Sequence, residues 1–327
     1  MATRNPILAL ADRQRGEIER ADAEALRQLI AAYGVMYERM GGDIDALILA
    51  IEAMEDITRK QVQNSSQYKR LLRNAEKELE RFQIYLETVV TASAATSIGL
   101  GLSHSAALVN AQIGGGFTSL EPGVIRPLLQ YLDPGGGLYA SLQRLTGNTV
   151  DAVVQSIVDG VLAGHNPRKI ARAIQGAFGR GLTDALRNTR TVQIWSYRDS
   201  ARANYTATGG IVQGWVWYAR LDGLTCMSCV SQHGSIHELS ETLDDHDNGR
   251  CAPLPYIPEF GNPVQQRGQD WFSGLPQAEQ KKQMGASKWQ AWQDDKFQFD
   301  QLSHQRPDDR YGTMRSEASL KQLVGEQ

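Results

Sequence analysis

Hydrophobic positions in the first ninety residues recur at three- and four-residue steps. Between Glu17 and Met40 they are Ile18, Leu26, Leu29, Ile30, Tyr33, Met36, Tyr37 and Met40, one face of an amphipathic helix. Gly41 and Gly42 predict its end, and Asp43 is placed to cap a second helix with a seam at Ile44, Leu47, Ile51 and Met54. Tyr68, Leu72, Ala75, Leu79, Phe82, Leu86 and Val89 then alternate steps of four and three, which is a heptad seam. Such a seam serves either a coiled-coil arm that docks onto a partner or a long helix packed back on its own neighbours.

From Thr91 to Gly137 the chain turns to Ala, Gly and Ser. Two triple-glycine breaks, Gly114–Gly116 and Gly135–Gly137, with Pro122, Pro127 and Pro134 between them, mark a hinge or boundary. The stretch Ala92 to Ala111 reads equally as a tightly packed helix or a flexible connector. Amphipathic helices follow over 149–164 and 166–178, the second with Asn166 as its cap and Pro167 in its first turn, and the helical run continues through 185–207. After Gly209 and Gly210 the period changes to two. Val212, Trp215, Val216, Trp217 and Tyr218 predict a strand, and Ser235 to Glu238 its return. The predicted fold is mainly α with a small α+β module. An elongated helical docking region covers 1–113, a Gly/Pro-rich connector 114–148, a domain with a metal-stapled β-hairpin at 211–258 covers 149–262, and a helical extension covers 263–327.

Composition narrows the functional classes. At 327 residues and 41% hydrophobic the chain can bury a core and divide into more than one compact unit. A formal charge of -3 and a pI near 6.1 exclude a coat of basic charge, so any nucleic-acid contact is local. One basic stretch stands out: Arg168, Lys169, Arg172, Arg180, Arg187, Arg190, Arg198 and Arg202, against only Asp184 and Asp199. It reads as a surface for DNA or an acidic partner, or as the solvated face of ordinary helices. Apolar runs fall short of the roughly 20 residues a membrane span needs, and Met1 to Leu10 lacks a signal-peptide pattern, so the expectation is a soluble protein made in a cytoplasm, with no membrane partner.

All three cysteines lie between Cys226 and Cys251, an odd number for a disulfide framework and a natural one for a metal site. Two residues separate Cys226 from Cys229, sixteen separate Cys229 from His246, and four separate His246 from Cys251. The two-residue gap lets both thiolates face one ion, and the later imidazole and thiolate complete the sulfur–nitrogen tetrahedron that zinc prefers. Four protein ligands leave no position for water, which predicts a structural zinc and no catalysis by it. His233 and His237 are rival ligands with less suitable spacing, and the Cys-x-x-Cys pair lacks the parallel α/β setting of a redox motif. Glu238, Glu241, Asp244, Asp245 and Asp247 form an acidic loop, either a cation site or a solvated one. No constellation of base, nucleophile and open metal predicts an enzyme or a small-molecule substrate.

With these residues assembled, the region from Gly147 to Pro258 resembles the phage Mu F-like head morphogenesis family. The likeness rests on an ordered set: the turn from Gly164 to Pro167 and its helix, Arg190-Thr191, the strand ending in Val216-Trp217, Asp222-Gly-Leu-Thr-Cys-Met-Ser-Cys, a hairpin at Gly234, and closure from His246 to Arg250-Cys251 before Pro253. Asp270-Trp-Phe, the segment Gln280 to Gly285, Trp289, Tyr311-Gly-Thr and a helix at Ser319-Leu are similar to the carboxyl region of such proteins. Two positions depart: Val192 where the family often has glutamate, and Gly249 where it often has a further cysteine. The resemblance makes 149–262 a head-morphogenesis domain. It implies a minor capsid protein of a tailed phage, inside the virion head near the portal, that acts in head assembly or in DNA packaging and ejection. The implied partners are the portal or major capsid protein and packaged DNA. Two alternatives stand beside it: a zinc-scaffolded nuclease or toxin-like enzyme using His237, Glu238 or His246, and a sequence-neutral DNA-binding module using the stretch from Arg168 to Arg202.

Overall fold

The computed structural model describes residues 5–54, 58–133 and 135–325; Pro134 of the predicted connector and Met1 to Arg4 of the chain's start lie outside them. The chain is mainly helical with a small antiparallel β region. Its elements are α1 (Pro6–Glu52), α2 (Arg59–Asn64), α3 (Ser66–Ile113), α4 (Pro122–Ile125), α5 (Gly137–Leu162), α6 (Pro167–Thr206), β1 (Gly214–Tyr218), α7 (Met227–Gln232), β2 (Ile236–His237), β3 (Ala252–Tyr256), α8 (Gly268–Ser273), α9 (Gln277–Met284), α10 (Ala286–Gln293), β4 (Ser303–Asp308), β5 (Gly312–Glu317) and α11 (Leu320–Val324). Among the described residues no helix is long and apolar enough to cross a membrane.

These elements form two compact units, one of Asp22–Ser93 and Leu132–Arg190, the other of Met1–Ala21, Ala94–Tyr131 and Thr191–Gln327. The boundaries predicted near 113, 148 and 262 do not coincide with them. Glycine and proline clusters mark where helices stop, but apolar faces decide which segments pack together, and those faces run on through α1, α3 and α6.

In the all-helical unit, α1 passes through Gly41 and Gly42 without a break, and Asp43 is not a cap. Two interior glycines cost roughly 1 kcal/mol each against alanine, which the buried face of Met40, Ile44, Leu47 and Ile51 outweighs. Asp43 instead accepts from Arg70 Nε at 2.6 Å and Asn74 Nδ2 at 2.9 Å on α3. The heptad seam of α3 is buried within this same unit, with Leu71 in place of Leu72. Phe82 meets Tyr33 of α1 edge to face at 4.8 Å, and the Tyr33 hydroxyl donates to the Phe178 carbonyl at 2.7 Å. α5 begins at Gly137, twelve residues before the predicted Thr149, so the connector ends there and not at 148. Asn166 caps α6 as predicted, its Oδ1 accepting from the Lys169 amide at 2.9 Å.

The small-residue stretch from Ala92 to Ala111 is helical, part of α3, and from Ala94 onward it belongs to the second unit. Its smallness has a steric cause: a Cβ on Gly101 would overlap the Tyr197 carbonyl oxygen and Ser200 Oγ of α6, so the two helices approach backbone to backbone. Asn204 of α6 closes the same contact by donating to the Leu102 carbonyl at 3.1 Å and to Ser105 Oγ at 2.8 Å.

The sheet of this unit has the order β2-β1-β3, all antiparallel. β1 is buried on both faces, which is why it reads as an unbroken apolar run. Trp215 and Trp217 pack with Val109 of α3, Tyr205 of α6, Cys229 and Cys251; Val216 and Tyr218 pack with Ile7 and Ala11 of α1. β3 carries Pro253 and Pro255, tolerable because it is an edge strand. Its outward carbonyls accept from Tyr205 Oη at 3.1 Å and Gln112 Nε2 at 3.4 Å.

The carboxyl-terminal segment is not the helical extension predicted for 263–327: between α10 and α11 lies the hairpin β4–β5. Its strands, Ser-His-Gln-Arg-Pro-Asp and Gly-Thr-Met-Arg-Ser-Glu, lack the apolar alternation by which strands are recognised. Phe272, Met284, Trp289, Phe297, Phe299 and Leu302 of this segment enclose Met227 and Val230 of α7, so it is part of the core of its unit.

Gly101→Val is expected to destabilise the protein by roughly 1–3 kcal/mol through overpacking at the α3–α6 contact. Urea unfolding checks it, and an unchanged midpoint would contradict the close-approach account.

Candidate metal centre

The Cys226–Cys229 knuckle begins with Asp222. Its Oδ1 accepts from the Leu224 amide at 2.9 Å and from Thr225 Oγ1 at 3.0 Å, and the Thr225 hydroxyl in turn accepts from the Asp222 amide. This closes a small turn ahead of α7. Arg250 grips the same carboxylate in a two-point fork at 2.7 and 2.8 Å. Arg250 precedes Cys251, so this ion pair ties the last cysteine to the first pair. That role was missed in the sequence, where Arg250 entered only as part of the closure. Asp222 is held well below the usual carboxylate range, first by the Arg250 fork.

Cys226 is the N-cap of α7, its sulfur accepting from the Cys229 amide at 3.4 Å, so the first helical turn brings both sulfurs to one side. Cys226 is half-buried; Cys229 and Cys251 are buried. His246 arrives from the loop before β3 with Nε2 3.1 Å from Cys226 Sγ and 3.5 Å from Cys229 Sγ. Its Nδ1 bonds the Asp247 carbonyl at 2.7 Å, which places the proton on Nδ1 and leaves Nε2 for a metal. Around a tetrahedral zinc, bond lengths near 2.3 Å to sulfur and 2.0–2.1 Å to nitrogen separate neighbouring ligand atoms by about 3.5–3.8 Å. Cys226, Cys229 and His246 therefore fit such an ion with small adjustments.

The donor atoms form two triads that share Cys229: Cys226, Cys229 and His246, and Cys229, Asp245 and Cys251, each within 4.8 Å of one another. This cluster of three cysteines and a histidine can bind a metal ion. Asp245 joins it unannounced, since in the sequence it is one of five acidic loop residues. Without a metal, hydrogen bonding from Cys229 lowers the Cys226 pKa against the opposing effect of burial, and contacts to Cys226 and Cys251 with burial raise that of Cys229. Burial opposes charge on His246, but Cys226 and Asp245 outweigh it and the pKa rises.

In the acidic loop Glu238 and Glu241 are exposed, whereas the three aspartates are each paired with side chains of other segments. Asp244 accepts from Arg315 Nε and Gln305 Nε2, each at 2.7 Å; Asp245 pairs with Arg198 at 3.0 Å, and Asp247 with Arg310 at 3.0 Å. Glu241 accepts from the Glu238 amide at 3.0 Å and faces His237 Nδ1 at 3.1 Å.

The rival histidines are engaged elsewhere. His237 stacks on Trp215 at 4.3 Å with its Nε2 2.7 Å from Ser235 Oγ, and β2 is the return strand predicted there. His233 is buried, with Nδ1 accepting from the Ala219 amide at 3.0 Å.

The basic stretch divides. Arg168, Lys169, Arg172, Arg180 and Arg187 are exposed on α6, the last 2.9 Å from Asp184. Arg190 is half-buried and pairs with Asp22 at 3.3 Å. Arg202 is half-buried and donates to the Leu239 carbonyl at 2.9 Å. Arg198 is only 2% exposed, so it is not a surface contact for DNA or a partner. The cue lies in its neighbours: Thr191 to Tyr197 carries no charge, and a helix buried all round admits a charged side chain only if it is paired.

Comparison with protein families, with characterised proteins and with solved structures gives no match for this chain.

Burial, with Arg15 and Arg267 nearby, lowers the His233 pKa to about 4. The unfolded value is about 6.5, so the unfolded chain takes up the proton first. The stability tied to neutral His233 is present in full above that value and is lost as pH falls towards the folded one. NMR titration should find the ring neutral at pH 5 in the folded protein. A midpoint near the unfolded value would contradict the buried Nδ1–amide bond.

Proposed function

We propose that this chain is a minor capsid protein of a tailed phage, held inside the head near the portal, and that a structural zinc ion on Cys226, Cys229, His246 and Cys251 fastens its carboxyl half. The observation that carries the reading is the donor set itself. Three thiolates and one imidazole approach one another from a helix N-terminus, a loop and the residue before a strand, in two triads that share Cys229, and four such donors are what a tetrahedral zinc takes. Four protein ligands would leave no position for water, which favours a structural ion over the nuclease reading, for which His237 is already bonded to Ser235 and Glu241. The role in the head rests on the resemblance of the region from Gly147 to Pro258. Portal or capsid subunits are the proposed partners. In the variant reading, where packaged DNA is contacted, the five exposed cations of α6 are the side chains available to phosphates.

Elemental analysis of the purified chain should find about one zinc per chain, lost in Cys226→Ser and in His246→Ala. Cys229→Ser should unfold the carboxyl half, since structural zinc contributes on the order of 10 kcal/mol in small metal-folded modules. A protease-resistant Cys229→Ser protein would count against the staple. Quantitative mass spectrometry of purified phage particles should find the chain in few copies relative to the major capsid protein; particles without it would overturn the head assignment.

A further inference from the structure

Arg198 and Asp245 are both almost wholly buried, 2% and 0% exposed, beside the proposed metal ligands. Arg198 reaches out of α6 as a fork. Its Nε donates to the carbonyl of Cys251 at 2.9 Å, and its Nη2 donates to Asp245 Oδ2 at 3.0 Å. The other carboxylate oxygen, Oδ1, accepts from the amide of His246 at 2.8 Å and lies 3.0 Å from Cys229 Sγ. One guanidinium thus fixes the backbone at Cys251 directly and the backbone at His246 through Asp245, while the carboxylate borders the third ligand.

Gly249 belongs to the same arrangement. A Cβ at that position would occupy the space of the Asp245 carboxylate, so the carboxylate keeps its place only with glycine there. Charge points the same way. Three thiolates around a divalent ion carry one net negative charge, Asp245 adds another, and burial makes an uncompensated anion costly. Arg198 is the buried cation in contact with both the carboxylate and a ligand-bearing segment. The Cys229–Asp245 contact at 3.0 Å is that of a thiol donating to a carboxylate; once the thiol is ionised, the same two groups repel, and Arg198 and the His246 amide hold Asp245 in place.

We infer that Arg198, with Asp245 as its counter-ion, is a positioning residue for the metal centre, presetting the spacing of His246 and Cys251 for the ion. The inference rests on the reading of the cluster as a metal site. A lysine at 198 would keep the charge but could not serve the carbonyl and the carboxylate together.

The test is zinc affinity by chelator competition, with the cobalt(II) spectrum of each protein, on the full chain and on Arg198→Lys, Gly249→Ala and Asp245→Asn. Arg198→Lys should bind zinc about 10–100-fold more weakly, the usual effect of losing a partner behind the ligands. Gly249→Ala should weaken binding by the same route, because it pushes Asp245 off the fork, and it decides the matter where Arg198→Lys does not fold. Asp245→Asn should keep the thiolate-to-cobalt charge-transfer and d–d bands. Unchanged affinity in the folded Arg198→Lys and Gly249→Ala proteins would overturn the inference alone. So would an Asp245→Asn spectrum with shifted d–d bands, which would make Asp245 a ligand. A wild-type chain that takes up neither metal would overturn the metal centre itself and this inference with it.

Discussion

The loop from Asp244 to Asp247 has little apolar surface with which to hold itself, yet it must present His246 within a few ångströms of two sulfurs. It is held by charge. Arg315 of β5 takes Asp244, Arg198 of α6 takes Asp245, and Arg310 in the turn between β4 and β5 takes Asp247. The three cations come from segments up to 117 residues apart in sequence, so the shape of the loop depends on both α6 and the carboxyl-terminal hairpin. Of the three, Arg198–Asp245 is buried on both sides; such a pair adds little net stability over an apolar core, but removing one partner strands the other at a cost of roughly 3–5 kcal/mol. What they supply is a single arrangement.

That dependence explains which parts of the molecule were legible in the sequence. Periodicity reports burial against any neighbour, so the strand β1 and most of the faces of α1 and α3 appear directly in the residue pattern, although Ile30 of the predicted α1 face is exposed. The cysteine spacing is equally local: Cys226 and Cys229 sit one helical turn apart wherever that helix packs. Ionic contacts across the chain leave no such trace. Arg198 reads as one of eight basic residues and Asp245 as one of five acidic ones until both are seen buried and 3.0 Å apart. β4 and β5 were invisible for the same reason: Gln305 and Arg315 hold Asp244, and Met314 is fully buried without an apolar alternation around it.

Glycine has a different meaning at three places in the chain. At Gly41 and Gly42 it was read as a stop, but neither position needs a left-handed backbone, and the flanking apolar face carries the helix through. At Gly114, Gly115 and Gly116 the backbone does turn to positive φ, and there α3 ends. Gly101 is the third case, a glycine inside a helix whose missing side chain lets α6 approach. A glycine in sequence thus marks freedom, a stop or a contact, and only the neighbours distinguish them.

Gly249 joins that argument to the metal centre. A cysteine at this place would offer a fifth donor to the proposed four-ligand ion. Here no side chain fits, because the Asp245 carboxylate occupies the space. A glycine at 249 therefore admits the carboxylate that links His246 to Arg198. A cysteine there would have to displace that carboxylate from the guanidinium, leaving a buried cation without its partner. Within this loop the ionic clasp and a further thiolate are mutually exclusive on steric grounds, and the sequence carries the residues of the clasp.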